Sequence, residues 1–154
     1  MVEFIAGTLL GFWAGRRKDK AKYEIHIGEQ IVNQTIKERL AASQYKLLKN
    51  VTLPTADGYT TQIDHVLVSV YGIFVLETKH YSGVVAGDKD SHKWVQITKF
   101  DQRKFQNPLR QNHKRIKELE ALLPEFAKES FFSLVVFSGE AKFNHVMPSN
   151  VMHV

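Results

Sequence analysis

The sequence has no cysteine, so neither a disulfide framework nor a thiolate zinc site is available to this chain of 154 residues. Histidines and carboxylates are then the remaining side chains for metal binding. None of the seven histidines occurs in a His-Glu-x-x-His or other zinc-binding spacing, and we assign none of them as a ligand. Any metal site is therefore expected to use oxygen donors.

A hydrophobic run of full membrane-spanning length is also missing. Residues 1–15 are apolar apart from Glu3 and Thr8, but as a helix they would span about 22 Å, less than the roughly 30 Å of a hydrocarbon core. A basic cluster, Arg16 to Lys20, follows this segment instead of preceding it, which argues against a cleaved signal peptide and favours a cytoplasmic chain.

We expect residues 1–20 to form an apolar segment with a basic flank, which anchors the domain of residues 21–154 to the inner face of the cell membrane. An amphipathic or docked N-terminal helix is the alternative. The composition, 44% apolar and 24% charged, is that of a globular protein, and the length suits one domain. The net charge of +5 favours a polyanionic partner, either nucleic acid or an anionic membrane surface. Nothing in the sequence indicates the oligomeric state.

The most informative stretch is Gln62 to His80, where two apolar runs flank Tyr71-Gly72 and predict a β-hairpin. If Tyr71 and Gly72 form the loop, Asp64 faces Lys79, and Glu77 lies on the same face of the sheet. The two carboxylates are then diagonal neighbours, at a Cα spacing of about 7 to 8 Å. This spacing suits a single cation held between them.

Charged side chains among buried strands need compensation, which leaves two interpretations of this face. Lys79 could form a salt bridge with Asp64 or Glu77 that closes the end of the sheet. Alternatively, Asp64, Glu77 and the carbonyl of Thr78 could supply the hard oxygen ligands that Mg²⁺ prefers. Lys79 would then orient or deprotonate a water molecule in a hydrolytic site.

A series of short motifs accompanies the hairpin. They are Gly28-Glu29, Gln62-Ile63-Asp64-His65, Gly72-Ile73-Phe74-Val75, Glu77-Thr78-Lys79, Gly83, Trp94 and Phe105-Gln106-Asn107-Pro108-Leu109-Arg110-Gln111. In order and spacing, this set resembles the nuclease-related domain (NERD) family within the PD-(D/E)xK, restriction-endonuclease-like nuclease superfamily. The match runs from about Gly28 to Ser138. Ile63 stands where the superfamily has proline before the aspartate, and because that proline is not a ligand the departure puts little in doubt.

The resemblance implies a metal-dependent nuclease that hydrolyses phosphodiester bonds in DNA or RNA, with Mg²⁺ or Mn²⁺ as cofactor. Of the two nucleic acids, we expect DNA as the partner. The implied metal ligands are Asp64, Glu77, the backbone carbonyl of Thr78, and Glu29. Lys79 would position the attacking water, and Gln111 would help to orient water or phosphate. Helical angles alone place Gln111 away from the apolar stripe of its helix. A non-catalytic nucleic-acid-binding domain and a membrane-tethered interaction domain with the same fold remain alternatives.

The other elements follow from periodicity and turn residues. A helix is predicted from about residue 23 to 42, and Glu29 lies on its buried stripe, where the helix dipole alone could also stabilise it. Asn107 and Pro108 predict a helix start. Strands are predicted at residues 44–53, 94–97 and 131–137, with an apolar run beginning again at residue 150. Together these elements predict one α/β domain with a restriction-endonuclease-like αβββαβ core, a mixed sheet flanked by helices.

Basic side chains lie on the other faces of the helix that begins at Pro108. They are Arg110, Lys114, Arg115 and Lys117. Such residues are either phosphate contacts or a solvated helix surface, and the sequence leaves both interpretations open.

Overall fold

The computed structural model describes the backbone of residues 2–154 and the side chains of Lys20 and residues 22–154. Over these residues the chain forms two α-helices, nine strands and a short 3₁₀ helix, Lys128–Ser130. The helices are α1 (Val2–Arg39) and α2 (Pro108–Leu122). The strands are β1 (Tyr45–Pro54), β2 (Thr60–Ser69), β3 (Gly72–His80), β4 (Gly83–Ala86), β5 (Lys93–Ile97), β6 (Gln102–Gln106), β7 (Phe131–Ser138), β8 (Ala141–Phe143) and β9 (Val151–His153).

The main sheet has the order β1-β2-β3-β7-β9. Strands β1, β2 and β3 pair antiparallel, whereas β3, β7 and β9 pair parallel, so the connection from β3 to β7 crosses over through α2. Val75 packs beneath α2, and its neighbour Leu76 packs beneath α1. Because adjacent strand residues point to opposite faces, the two helices flank the sheet on opposite sides. The predicted mixed sheet with flanking helices is confirmed.

A second sheet, with the order β6-β5-β4-β8, lies beside the end of the main one. The sequence predicts part of β5 but neither β6 nor a separate sheet. The join between the sheets is apolar: Trp94 of β5 is fully buried and stacks on Phe137 of β7, with ring centroids 6.2 Å apart. Trp94 thus belongs to the core, which requires the second sheet to pack firmly against β7.

The register of the β2–β3 hairpin differs from the predicted one by two residues. Ser69 pairs with Gly72, so the turn consists of Val70 and Tyr71. Gly72 begins β3 with a φ of 136°, a conformation that favours glycine. A Cβ at Gly72 would also lie 2.5 Å from the Phe132 ring. Glycine is therefore needed here for close packing against β7 rather than for the loop.

A shift of two residues keeps Glu77 and Lys79 on their predicted face, but it changes the residues opposite them. The antiparallel ladder ends at His65 and Leu76, and one further step places Asp64 opposite Glu77 instead of Lys79. Ile63 and Val66 both pack in the core beneath α2, although strict alternation would place them on opposite faces. Strand β2 is therefore distorted at Asp64 and His65, where it separates from β3.

The predicted helix at residues 23–42 is part of the longer α1, which ends at Arg39. Within the part of the chain that the structure describes, none of the helices combines the length and apolar character that a membrane crossing requires. The anchor that we predict at residues 1–15 falls outside the described side chains. It stays a prediction.

Candidate active site

The centre of the site is the pair Glu77 and Lys79 on β3, which share one face of the strand. The Glu77 carboxylate is only 2% exposed, and its Oε1 is paired with the Lys79 amine. The same amine donates a hydrogen bond to Oε1 of Gln111 over 3.3 Å. The structure therefore brings Gln111 to Lys79, although helical periodicity gives no reason to expect this contact.

Arg115 lies one helical turn after Gln111 on α2, and its guanidinium Nη1 is paired with Oε2 of Glu77. Its side chain is 14% exposed, so this arginine faces the sheet. Burial lowers the pKa of Arg115, and the nearby Asp64 charge raises it. Lys79 and Arg115 together hold both oxygens of the one carboxylate.

The other three basic residues of α2 are exposed and lie apart from this pair. Arg110 donates to the carbonyl of Asp90 over 3.5 Å, and Lys117 is paired with Glu120 at 2.7 Å. A hydrogen bond from Thr55 has the largest effect on the pKa of Asp57 and lowers it. The charge of Lys114 is close enough to lower this pKa as well. Phosphate binding by Arg110, Lys114, Arg115 and Lys117 stays a prediction.

Helix α2 is fixed to the sheet by Asn112, a residue that the sequence reasoning missed. Its side-chain amide is fully buried and donates to the carbonyl of Val75 at 2.8 Å and to Oγ of Ser133 at 2.9 Å. These bonds join α2 to β3 and β7 at one point. They set the helix register that directs Gln111 and Arg115 toward Glu77. In the sequence, Asn112 is a polar residue on the apolar stripe, between Leu109 and Ile116. Such a position indicates a buried side chain that needs hydrogen-bond partners.

Asp64 lies within β2, at the point where this strand separates from β3. Its Oδ2 accepts a hydrogen bond from the backbone N–H of Thr78 over 2.9 Å. In an antiparallel arrangement the N–H and the C=O of one residue point to the same neighbouring strand. The carbonyl of Thr78 is therefore directed to the same edge of β3 as the Asp64 carboxylate, as a shared oxygen site requires.

Glu29 approaches the same region from α1. Its pKa is raised, first by burial and then by the negative charge of Asp64, whereas His26 lowers it. The preceding residue explains the close approach: a Cβ at Gly28 would lie 2.8 Å from Cβ of His80 and 3.3 Å from the Thr78 methyl group. Glycine at this position lets α1 pack directly onto β3.

Charge and burial oppose each other at Lys79. Burial lowers its pKa, the neighbouring Tyr81 and Asp64 raise it, and the positive charge of Arg103 lowers it. A lowered pKa makes the amine better able to exchange a proton with a bound water. His65, next to Asp64, is 1% exposed and has its pKa lowered by burial.

The oxygen donors of Glu29, Asp64 and Glu77 are of the type that binds a hard divalent cation, but they are not arranged around one point. Glu29 and Asp64 are like charges close enough to disfavour each other, a conflict that a cation would relieve. Glu77, however, is engaged by two side-chain cations. Among the described side chains, no three His, Asp or Glu residues converge on one point as a metal-binding group. A metal ion bound to Glu77 would therefore compete with Lys79 or Arg115 for the carboxylate.

Residues 26–138 match the family model described as nuclease-related domain. The chain belongs to this family. It is also 38% identical over 109 residues to an uncharacterized protein of Bacillus anthracis, an alignment that covers 71% of this chain and 51% of that protein. The chain therefore spans about half the length of that relative. No solved structure matches the chain.

Membership of the family agrees with the resemblance found in the sequence, which runs from about Gly28 to Ser138. It establishes a nuclease-related domain.

Proposed function

We propose that the protein is a metal-dependent nuclease that hydrolyses phosphodiester bonds, in DNA in preference to RNA. The observation that carries the proposal is the environment of Lys79. Its amine is held between Glu77 and Gln111, and burial lowers its pKa. A positioned lysine of this kind is suited to orienting a water molecule and taking part in proton transfer.

In this proposal the ion is Mg²⁺ or Mn²⁺, and its ligands are Asp64, Glu77, the carbonyl of Thr78, and Glu29. When bound, such an ion polarises a phosphoryl oxygen and lowers the pKa of a coordinated water. Lys79 orients the attacking water, and Gln111 keeps the amine in place. The hydrogen bond from the Thr78 N–H holds the Asp64 carboxylate at the reaction centre.

Cleavage assays on single- and double-stranded DNA and RNA, each with and without Mg²⁺ or Mn²⁺, test the proposal. The wild-type protein should cleave only when the ion is present. Lys79→Ala should stay folded in millimolar Mg²⁺ and still bind substrate, but its rate should be lower by roughly 10² to 10⁴. Lys128→Ala, at an exposed position, is the matched control and should keep the wild-type rate. A Lys79→Ala variant that cleaves as fast as the parent would refute the role of Lys79.

The second candidate is a non-catalytic nucleic-acid-binding domain, and the double pairing of Glu77 favours it. Lys79 and Arg115 already compensate the buried carboxylate without a metal. Lys79 would then be structural, and its removal should destabilise the domain by up to about 3 to 5 kcal/mol even with Mg²⁺ present. Thermal denaturation of Lys79→Ala in millimolar Mg²⁺, measured beside the cleavage rate, separates the two candidates.

A further inference from the structure

Two cavities adjoin the site on the side of the second sheet. The nearer cavity, of about 270 Å³, is lined by Lys79, Tyr81 and Lys104 among others. The farther cavity, of about 610 Å³, reaches Phe100 at the tip of the β5–β6 hairpin. Both are lined by Arg103. They also share Glu24, and we call the surface that the two cavities line, from Lys79 to Phe100, the hairpin groove.

An aromatic side chain marks the outer end of the hairpin groove. Phe100 is 89% exposed and lies in the turn between β5 and β6. The turn is well fixed, because the Thr98 N–H donates to the Asp101 carbonyl over 2.8 Å and Thr98 Oγ1 accepts from the Asp101 N–H over 3.0 Å. Exposure of a large apolar ring to water is unfavourable, and a ring on a fixed turn is well suited to stack on a planar group of a partner.

Between Phe100 and Lys79 the hairpin groove is lined by the cations Arg103 and Lys104 and by the carboxylates Glu24 and Asp101. The Arg103 guanidinium lies over the Tyr81 ring, 5.0 Å from its centroid, and its Nε donates to Oε1 of Gln96 over 2.8 Å. The Lys99 amine lies 5.6 Å from the centroid of the Phe100 ring. Exposed Lys104 is a further cation beside the nearer cavity. The hairpin groove therefore places cations beside the aromatic rings of Tyr81 and Phe100.

We propose that the hairpin groove binds a single-stranded segment of DNA and guides it to Lys79. A base stacks on Phe100, and phosphates are neutralised by Arg103 and Lys104, which is the combination used by proteins that bind unpaired strands. Bases inside a duplex are stacked on one another and cannot reach a side-chain ring in this way. The proposal rests on the proposed function in taking Lys79 as the reaction centre, and it adds the strandedness of the substrate.

Fluorescence anisotropy with a labelled DNA oligonucleotide, either single-stranded or annealed to its complement, tests the hairpin groove. EDTA is present throughout, so that cleavage cannot affect the result. We expect the single strand to bind more tightly than the duplex. Phe100→Ala should weaken single-strand binding at least about fivefold, the least that loss of one stacked base predicts. Tyr59→Ala is the matched control, since Tyr59 is 73% exposed and lines neither cavity.

A second variant examines the charges. Arg103→Gln should reduce the slope of log affinity against log salt for the single strand by about one, as expected for loss of one phosphate contact. Equal affinity for single strand and duplex would overturn the proposal, and so would an unchanged single-strand affinity in Phe100→Ala. A ribonucleotide strand of the same sequence is a further arm, and tighter binding of that strand would overturn the assignment to DNA.

The two proposals fail in different ways. If the single strand binds through Phe100 but no cleavage occurs with Mg²⁺ or Mn²⁺, the nuclease proposal fails and the hairpin groove stands. If metal-dependent cleavage depends on Lys79 while Phe100→Ala binds like the wild type, the hairpin groove fails and the nuclease proposal stands.

Discussion

Arg115 and Glu77 are paired through Nη1 and Oε2, although one residue lies on α2 and the other on β3. Since Lys79 occupies the second carboxylate oxygen, Glu77 has two counter-charges within the protein. A divalent ion that approaches Glu77 must compete with one of them. In the proposed nuclease, metal affinity is therefore expected to depend on the strength of this ion pair.

Removal of Arg115 should weaken the fold more than removal of an exposed cation on the same helix. Breaking a buried ion pair costs roughly 3 to 5 kcal/mol, and because Lys79 remains beside Glu77 we expect about the lower end of that range for Arg115→Ala. Lys117→Ala removes an exposed pair and should cost less than about 1 kcal/mol. Urea denaturation in EDTA measures both, and equal losses would contradict the structural role of Arg115.

The variant Asp64→Asn removes the negative charge of this side chain but keeps an oxygen that can accept its hydrogen bond. In Asp64→Asn the amide oxygen can still accept the Thr78 N–H, so we expect the melting temperature to stay close to the wild-type value. Mn²⁺ affinity measured by titration calorimetry should fall by more than about tenfold, because a ligating charge is lost. Asp90→Asn, at an exposed position, is the control. Unchanged Mn²⁺ binding in Asp64→Asn would remove Asp64 from the ligand set.

Protonation of His65 should destabilise the protein in mild acid. Burial lowers the pKa of His65 below its ordinary 6.5, with an opposing effect from Asp64. The unfolded chain therefore takes up this proton at a higher pH than the folded one, and stability is lost as the pH falls from 6.5 through the lower folded-state pKa. Denaturation midpoints between pH 8 and pH 5 should fall less steeply in His65→Asn than in the wild type. His92→Asn, at an exposed position, is the control. If the midpoint of His65→Asn falls with pH as steeply as that of the wild type, His65 is not the group responsible.

Gly28 should resist a substitution that usually stabilises helices. Replacing an interior helical glycine by alanine ordinarily gains about 1 kcal/mol. At Gly28 the added Cβ would lie 2.8 Å from Cβ of His80, so we expect a net loss of about 1 to 3 kcal/mol from overpacking. Chemical denaturation measures the sign directly. Gln30→Ala, at an exposed position of the same helix, should change stability by less than about 0.5 kcal/mol.

Much of the domain could be predicted because local signals and burial agree. The N-cap of α2 is confirmed, since the Asn107 side chain accepts a hydrogen bond from the Leu109 N–H. The strand predicted from residue 131 is β7, buried beside the crossover helix. The common face of Glu77 and Lys79 is confirmed, because both contact side chains of α2, whereas Asp64 lies where β2 departs from strict alternation.

The errors come from contacts between residues far apart in sequence. The residues around Gly72 do not show whether this glycine lies in the turn or packs beneath the Phe132 ring. The register of the hairpin therefore could not be predicted from the neighbouring sequence. The contact of Gln111 with Lys79 depends on the anchoring of α2 by Asn112, which periodicity does not report. The second sheet was missed because four of the five residues of β6 are polar and β8 has only three residues, too few to show a periodic pattern.

The parallel pairing of β3 with β7 has a consequence for synthesis of the chain. The hydrogen bond between His80 and Ser138 joins residues 58 positions apart, across the second sheet and α2. Contacts of such long range form slowly, because the loop between them must close first. Translation proceeds from the N-terminus, so a growing chain has made Asp64, Glu77 and Lys79 well before β7 emerges. The nascent chain consequently carries these charged residues without an assembled centre until the crossover has docked.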